Sequence, residues 1–290
     1  MAALFYHGLG ERGETKNMRE KVGVLAGSGR LPFFVVRGIR AAGHQPVVLG
    51  LTEEVDPALA AEASDMEYVS VGRLGEIVHS LHHHDLRHLV LAGKVRKTLL
   101  FADIKIDEEF RRLLDGLPRK NDDAILGAVV DYLARAGIVV LPQAEFLSDL
   151  LAPRGVLSRR APDAREQADI LFGLTMAKAI GALDFGQSVV VKDLAVLAVE
   201  AAEGTDETIR RGGRLGRGGA VLVKVSKPQQ DPRFDVPTIG PDTVACALEA
   251  VLSVLAVEAG KRFFLEREEA LRAADRAGLA VVGIDEAGAY

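Results

Sequence analysis

The chain has 290 residues, 48% of them hydrophobic, which is enough for two domains of ordinary size. Its formal charge of −5 gives no electrostatic footprint for nucleic acid, and no apolar run approaches the length needed to cross a bilayer. Cys246 is the single cysteine, which excludes an internal disulfide and a cysteine zinc site and indicates the cytoplasm.

The first 20 residues differ in character from the rest of the chain. They carry charges throughout and lack the continuous apolar core and small-residue cleavage site of a secretory signal. We therefore predict a disordered tail over 1–20, with Met1 and Met18 as alternative native starts.

The next part of the chain alternates short apolar runs with amphipathic segments. A strand from Lys21 precedes the helical segment RLPFFVVRGIRAAG, and further strands are predicted at 46–51, 67–71, 88–92 and 138–141. Asn121, Asp122 and Asp123 can cap a helix that runs to about Ala136. The alternation indicates βαβ units, so we predict a Rossmann-like domain with a parallel sheet over 21–146.

The periodic pattern lapses at 147–162, LSDLLAPRGVLSRRAP, which we interpret as a linker because prolines, a glycine and three arginines interrupt it. A second, mixed α/β domain with the catalytic residues is predicted over 163–290. Its predicted helices are 163–182 and three that begin near residues 203, 241 and 267, and its predicted strands are 187–192, 195–201, 220–225 and 280–284.

Two glycine-containing segments that follow predicted strands are suited to a phosphate. They are Gly27, Ser28 and Gly29 after the first strand, and Ala92, Gly93 and Lys94 at the end of the strand 88–92. Glycines let a phosphate reach backbone N–H groups, and ligands of open α/β sheets lie outside the carboxyl ends of the strands. A tight βα turn explains the first segment equally well, since the third glycine of a dinucleotide fingerprint is missing.

The loop 224–240, KVSKPQQDPRFDVPTIG, combines basic and acidic side chains between a predicted strand and a Pro-Thr-Ile-Gly turn. Basic groups neutralise phosphoryl oxygens, and carboxylates hold a divalent cation or orient water. Asp231 and Asp235, together with Glu200 and the segment 203–206, supply carboxylates that could converge on Mg²⁺. Helix capping is the competing explanation for 203–206, with Thr205 as N-cap, and for Asp122 and Asp123.

Five of the seven histidines lie in the segment HSLHHHDLRH. The spacing places His79, His82 and His83 on one helical face, which is compatible with a transition-metal site. We favour a solvated helix, because no carboxylate or cysteine elsewhere is matched to these histidines.

Long ungapped strings of the chain resemble the LpxI family, the UDP-2,3-diacylglucosamine pyrophosphatases of lipid A biosynthesis. The likeness runs from about Lys21 to the C-terminus and includes LAGSGRLP, AGKV, NDDAIL, LLAPRGVLSRR, ALDFGQSVVV, VLAVEAAEGTDETIRR and KVSKPQQDPRFDVPTIGPDTV. The N-terminal extension departs from the family pattern, and Asn121 stands where the family has glycine.

The resemblance implies a Mg²⁺-dependent hydrolysis of UDP-2,3-diacylglucosamine to UMP and lipid X, by two α/β domains that hold the substrate between them. It makes Asp235 the leading catalytic acid, supported by Asp231 and by Lys224 at the diphosphate. The expected metal ligands are Asp235, Asp206 and Glu200. The expected substrate-site residues are Gly27, Ser28, Gly29, Ala92, Gly93, Lys94, Asp122, Asp123, Gln187, Glu203, Gly204, Thr205, Asp206 and Thr238.

A lipid substrate also implies an apolar groove and transient, peripheral contact with the inner membrane. Leu31, Phe33 and Phe34 are candidates for the groove, although helix core is the favoured role for them. A homodimer is a further expectation from the family.

Two other classes of protein stay open at this stage. A non-catalytic nucleotide-sugar binding protein would keep the pocket without needing Asp235. A dinucleotide-dependent oxidoreductase would need an acid after the second strand, where only Glu53 and Glu54 are close enough.

Overall fold

The computed structural model describes residues 19–95, 105–118 and 122–290, with only the backbone of Asp122 and Asp123. Apart from Arg19 and Glu20, the predicted tail lies outside the described residues. Internal contacts divide the chain into two units. The first ends at Ser148 and includes Pro232–Phe234, and the second comprises Asp149–Asp231 and Asp235–Tyr290.

The first unit is built on a parallel sheet. Its strands are β1 (Lys21–Ala26), β2 (Gln45–Leu51), β3 (Met66–Val69), β4 (His88–Ala92) and β5 (Val139–Val140), and its helices are α1 (Leu31–Ala41), α2 (Leu74–His83), α3 (Glu108–Asp115) and α4 (Asp122–Arg135). The strand order is β3-β2-β1-β4-β5, and every pair is parallel. The order reverses between β1 and β4, which is the switch point where ligands of such sheets bind.

The second unit contains a mixed sheet. Its strands are β6 (Gly155–Val156), β7 (Ser188–Lys192), β8 (Ala195–Val199), β9 (Val221–Lys224), β10 (Thr238–Ile239), β11 (Val254–Glu258), β12 (Phe263–Phe264) and β13 (Ala280–Ile284), and its helices are α5 (Ala164–Ala182), α6 (Thr205–Gly216), α7 (Pro241–Glu249) and α8 (Arg267–Ala277). The main sheet has the order β6-β13-β11-β9-β7-β8, with β9, β11 and β13 parallel. Strands β10 and β12 form a separate parallel pair.

The two faces of this second sheet bury different cores. Leu222 of β9 packs in a cluster with Ile209 of α6, whereas Val223 packs in a cluster with Ile170 of α5. Successive side chains of a strand point to opposite faces, so Lys224 follows Leu222 to the α6 side. In the register of β9 with β11, Lys224 lies opposite Val257. Glu258, one position further, therefore points to the α5 side.

The predicted α/β class with a parallel first sheet is confirmed, and most predicted elements are present. The unit boundary at Ser148 falls within the predicted linker 147–162, but Gly155–Val156 of that segment pairs antiparallel with β13 and belongs to the second sheet. The strand β11 is absent from the sequence-based expectations. None of the helices in the described ranges is long and apolar enough to cross a membrane.

Candidate functional site

In the first unit, the two glycine-containing segments meet at the carboxyl ends of β1 and β4. The amide of Ser28 donates to the Lys94 carbonyl at 2.9 Å, and the amide of Lys94 donates to the Ser28 carbonyl at 2.9 Å. A Cβ atom on Gly27 would lie 2.5 Å from the Lys94 carbonyl oxygen, and one on Gly93, whose φ is +94°, would lie 2.7 Å from the Ser28 carbonyl oxygen. Close approach of the two loops thus accounts for both glycines.

Gly29 differs from Gly27 and Gly93 in its surroundings. Its φ is +93°, and a Cβ atom there would meet no heavy atom within 4 Å in the described structure. The residue is exposed just before α1 begins at Leu31. Backbone N–H groups at the start of a helix favour anions, and the phosphate role of Gly29 stays a prediction.

An apolar cavity of about 190 Å³ lies within the first unit, beside these loops. Gly27, Ala92 and Gly93 line it, together with aliphatic side chains of the sheet, α2 and α4, and the rings of Phe110 and Phe234. Phe234 comes from the loop 224–240 and packs against the core of the first unit. An apolar enclosure next to backbone polar groups suits a ligand that has both kinds of surface.

The residues that the sequence suggested for the acyl groove lie elsewhere. Leu31 is buried in the core, and Phe33 and Phe34 are half-buried with the guanidinium groups of Arg30 and Arg37 each 5.9 Å from a ring centroid. None of the three lines the cavity. The sequence could not show which side chains would enclose the cavity.

In the second unit, a polar chain of contacts connects three predicted site residues at the carboxyl end of β9. The Lys224 ammonium donates to the Thr205 hydroxyl at 2.7 Å, and this hydroxyl donates to Glu200 Oε1 at 2.9 Å. The backbone amide of Gln187 donates to Glu200 Oε2 at 3.4 Å. Lys224 and Glu200 are buried, with 6% and 7% exposure, so water screens their charges little. We call Lys224, Thr205 and Glu200 the Lys224 relay.

The competing explanation, in which Thr205 is the N-cap, is wrong. Gly204 is the N-cap of α6, with φ +84° and no side-chain hydrogen bond, and Thr205 is the first helical residue. A φ in this range favours glycine, so the cap lies one residue earlier and the Thr205 hydroxyl is available for the relay. Glu203 instead pairs with Arg211 at 2.9 Å, and Asp206 is exposed in the first turn of the helix.

Asp231 and Asp235 lie in one turn of the loop 224–240. The amide of Asp235 donates to the Asp231 carbonyl at 2.9 Å, and Gln230 Nε2 donates to Asp235 Oδ2 at 2.8 Å. The Asp235 carboxylate is half-buried. Thr238, further along, belongs to β10 and pairs with Phe263 in the register.

The predicted metal ligands do not form a cage. No group of three or more His, Cys, Asp or Glu side chains suited to a metal ion is present in the described residues, which include Asp235, Asp206 and Glu200. Magnesium commonly takes only one or two protein carboxylates and completes its shell with water and phosphate oxygens. The half-buried Asp235 carboxylate is a ligand of this kind, and the metal-binding roles of Asp235, Asp206 and Glu200 stay predictions.

The remaining predicted positions have simpler surroundings. His79, His82 and His83 are exposed on α2, and His82 Nε2 lies 2.9 Å from the Ala136 carbonyl oxygen. Glu53, which the oxidoreductase hypothesis needs, accepts from the Val71 amide at 3.1 Å and from the Ser70 hydroxyl. The side chains of Asn121, Asp122 and Asp123 lie outside the described residues, so their predicted roles stay predictions.

Sequence reasoning missed a second polar cluster, on the α5 side of the sheet. Glu258, 1% exposed, accepts from Lys178 at 2.7 Å, from Lys261 at 2.9 Å and from the Ser226 amide at 2.8 Å. Burial acts to raise the pKa of Glu258, but these hydrogen bonds and the Lys178 charge outweigh it and hold the pKa below its usual value. The available signal was that the apolar run 254–258, VLAVE, ends in an acid.

Arg262 was also missed, and it is fully buried. None of its three guanidinium nitrogens has a hydrogen-bond partner in the described residues. Burial lowers the pKa of the guanidinium to about 10, although the charges of Glu258 and Glu200 act in the opposite direction. The group is thus cationic at neutral pH, and both polar clusters act on it electrostatically.

Comparisons with known proteins agree with this two-unit arrangement. Residues 21–150 match the model of the LpxI N-terminal domain, and residues 153–282 match the model of the LpxI C-terminal domain. The chain belongs to the LpxI family. It is also 36% identical over 276 residues to the UDP-2,3-diacylglucosamine pyrophosphatase LpxI of Caulobacter vibrioides, covering 91% of this chain and 98% of that protein.

Membership of the LpxI family confirms the resemblance drawn from the sequence strings. The Lys224 relay, Asp231 and Asp235 all lie within the part that matches the LpxI C-terminal domain, and the apolar cavity is lined mainly by residues of the LpxI N-terminal domain. The two domain matches meet between residues 150 and 153, close to the boundary between the structural units.

Proposed function

We propose that this protein hydrolyses the diphosphate of UDP-2,3-diacylglucosamine, releasing UMP and 2,3-diacylglucosamine 1-phosphate, which is lipid X. The match over nearly the full length of a relative named for its action on this substrate carries the proposal. The apolar cavity of the first unit supports it, because the substrate carries acyl chains, and the buried Lys224 of the second unit is a cation of the kind that binds phosphate oxygens. The pathway would be lipid A synthesis.

In the proposed reaction, a water oxygen forms a new bond to one phosphorus while the P–O bond of the anhydride breaks. The water gives up one proton to solvent, and the bridging oxygen leaves with the second phosphate. Asp235, held by Gln230, orients the water or a cation at this step. Lys224 neutralises phosphoryl charge, and its hydrogen bond to Thr205 fixes the position of the ammonium group.

We also propose Mg²⁺ as the cofactor, with Asp235 and the substrate's own phosphate oxygens as ligands. When bound, the ion would neutralise charge on the diphosphate and on the leaving phosphate. The Glu200 carboxylate is already occupied by Thr205 and Gln187, which makes it a poorer ligand than Asp235.

The test is release of UMP and lipid X from UDP-2,3-diacylglucosamine by the purified protein, with Mg²⁺ and with a chelator. Asp235→Asn should lose most turnover while still binding UMP, whereas Asp131→Asn, at an exposed position on α4, should retain it. Binding without turnover in the wild type, under any divalent cation, would refute hydrolysis and favour the nucleotide-sugar binding protein.

We propose further that the protein meets its lipid substrate through transient, peripheral contact with the cytoplasmic side of the inner membrane. The chemistry of the substrate supports this proposal, since its acyl chains reside in a bilayer. Flotation with vesicles that contain the substrate tests the contact. The homodimer stays a prediction, which light scattering on the purified protein would check.

A further inference from the structure

The side chain of Gln230 connects two parts of the loop 224–240. Its Nε2 donates to Asp235 Oδ2 at 2.8 Å, and its Oε1 accepts from the backbone amide of Lys227 at 3.3 Å. The backbone amide of Gln230 also donates to the Lys227 carbonyl at 3.2 Å. One half-buried side chain thus holds the carboxylate of Asp235 against the early part of the loop.

The early part of the loop is itself attached to the second unit. The Ser226 amide donates to the buried Glu258 carboxylate at 2.8 Å, and Lys227 Nζ donates to the Asp184 carboxylate at 3.0 Å. Both contacts involve charged groups, and such hydrogen bonds are stronger than those between neutral groups. The part of the loop that Gln230 contacts is therefore held in place by the second unit.

The amide of glutamine suits both of its partners. It carries an acceptor and two donors on one planar group, so its oxygen can meet a backbone N–H while its nitrogen meets a carboxylate. A glutamate at position 230 would set two acceptors against each other at Asp235. A methionine would keep the length of the side chain and lose both hydrogen bonds.

The hydrogen bond from Gln230 engages one oxygen of the Asp235 carboxylate. Oδ2 accepts from Gln230, whereas Oδ1 has no hydrogen-bond partner in the described residues. A carboxylate oxygen without such a partner can accept from a water molecule or contact a cation. A carboxylate that is already fixed needs no rearrangement when the substrate arrives, and this preorganisation favours catalysis.

We propose that Gln230 is a positioning residue, which sets the direction of the Asp235 carboxylate and keeps Oδ1 available for the water or cation of the reaction. Gln230 acts through Asp235 and has no need to touch the substrate. The effect on turnover rests on the proposed function, whereas the contact between the two side chains is testable without it.

Two substitutions of Gln230 separate positioning from attachment of the loop. Gln230→Glu keeps an oxygen that can accept from the Lys227 amide, but it sets a second carboxylate against Asp235. If Gln230 only attached the loop, Gln230→Glu would be more active than Gln230→Met. A positioning role predicts that both variants lose about tenfold or more in kcat, with KM within about twofold of the wild type.

An exchange of donor and acceptor tests the contact without turnover. In Asp235→Asn, the new amide oxygen can still accept from Gln230, so the unfolding midpoint should stay near that of the wild type. Gln230→Glu leaves two carboxylates in contact at neutral pH and should lower the midpoint by about 3 °C. When both substitutions are combined, the amide at position 235 can donate to the carboxylate at position 230, and the midpoint should recover.

Gln229→Glu is the matched control, because it makes the same change of charge one residue earlier. The exposed Gln229 side chain donates to the Gly181 carbonyl over 3.4 Å. Its kcat should stay within about twofold of the wild type. Any change in its midpoint should add to that of Asp235→Asn, because the two side chains do not share a hydrogen bond.

The experiment measures kcat, KM and the unfolding midpoint for these variants of the full chain. Full activity of Gln230→Met, or additive midpoints for Gln230→Glu and Asp235→Asn, would overturn the positioning role. If Gln230→Glu alone does not fold, a folded double variant supports the contact, and an unfolded one overturns it. Absence of wild-type turnover refutes the proposed function, and the midpoints alone then decide whether Gln230 holds Asp235.

Discussion

Thr205→Val tests the central contact of the Lys224 relay. Valine keeps the branched shape of threonine but cannot accept from Lys224 at 2.7 Å or donate to Glu200 at 2.9 Å. A hydrogen bond to a charged group contributes about 1.5–3 kcal/mol, and here two are lost, one to Lys224 and one to Glu200, which are 6% and 7% exposed. Since each charge keeps the attraction of the other, we expect a loss of roughly 2–4 kcal/mol in the free energy of unfolding.

Urea denaturation of the wild type, Thr205→Val and Thr205→Ser measures this loss directly. Serine keeps the hydroxyl and removes one methyl group, so it should cost only about 1 kcal/mol. Turnover of UDP-2,3-diacylglucosamine should follow the same order, because only the valine variant removes the hydroxyl that Lys224 contacts. Equal stability of the serine and valine variants would show that the hydroxyl does not bridge the two charges.

Three further perturbations test a loop contact, a buried acid and the apolar cavity. In denaturant, Gly93→Ala should destabilise the protein by about 2 kcal/mol more than Gly43→Ala. Both glycines have positive φ, but of the two only Gly93 would place its new Cβ 2.7 Å from a carbonyl oxygen, that of Ser28. Equal losses of stability would mean that the loops move apart freely. Because the pKa of Glu258 is lowered in the folded state, the stabilisation from its charge is present above the ordinary pKa of 4.5 and is lost as the pH falls through the folded value. Glu258→Gln should thus flatten the acid side of the curve of unfolding free energy against pH. An unchanged slope would contradict this. Val129→Phe narrows the apolar cavity and should raise KM for long-chain substrates about tenfold, with little effect on KM for a short-chain analogue. Equal effects on both substrates would show that the cavity does not bind the acyl chains.

The first unit was largely predictable because its signals are local. Apolar runs that end in glycine mark β1 and β4, and the run 88–92 coincides with the strand in the structure. In the second unit, Asp163 is a local signal of the same kind: it caps α5 and forms a capping box with Glu166, as residues of these types do at helix starts.

Strand β11 could not be predicted for a physical reason. The sequence from the end of α7 to β11 is almost entirely apolar and has no proline or glycine, and the chain reverses at Val251, whose φ is +53°. A β-branched residue rarely adopts that conformation, so no local rule places a turn there. Packing of Leu252 and Val254 into the core selects the turn in spite of this preference.

The polar residues of the second unit also divide into those that the sequence suggested and those that it did not. Lys224, Thr205 and Glu200 carry chemical types that suggest function, and the structure brings them together. Arg262 lies in the string KRFF, where an exposed basic residue is the ordinary expectation. Its complete burial depends on contacts that are distant in sequence, and only the fold reveals it.

The alternation of faces along β9 makes the length of this strand a chemical constraint. Inserting or deleting a single residue between Val221 and Lys224 would carry the ammonium from the α6 side of the sheet to the α5 side. There it would join Lys178 and Lys261, two cations that already share Glu258, and Glu200 would be left behind. Evolution can therefore exchange the apolar residues of β9 one for another far more readily than it can change their number.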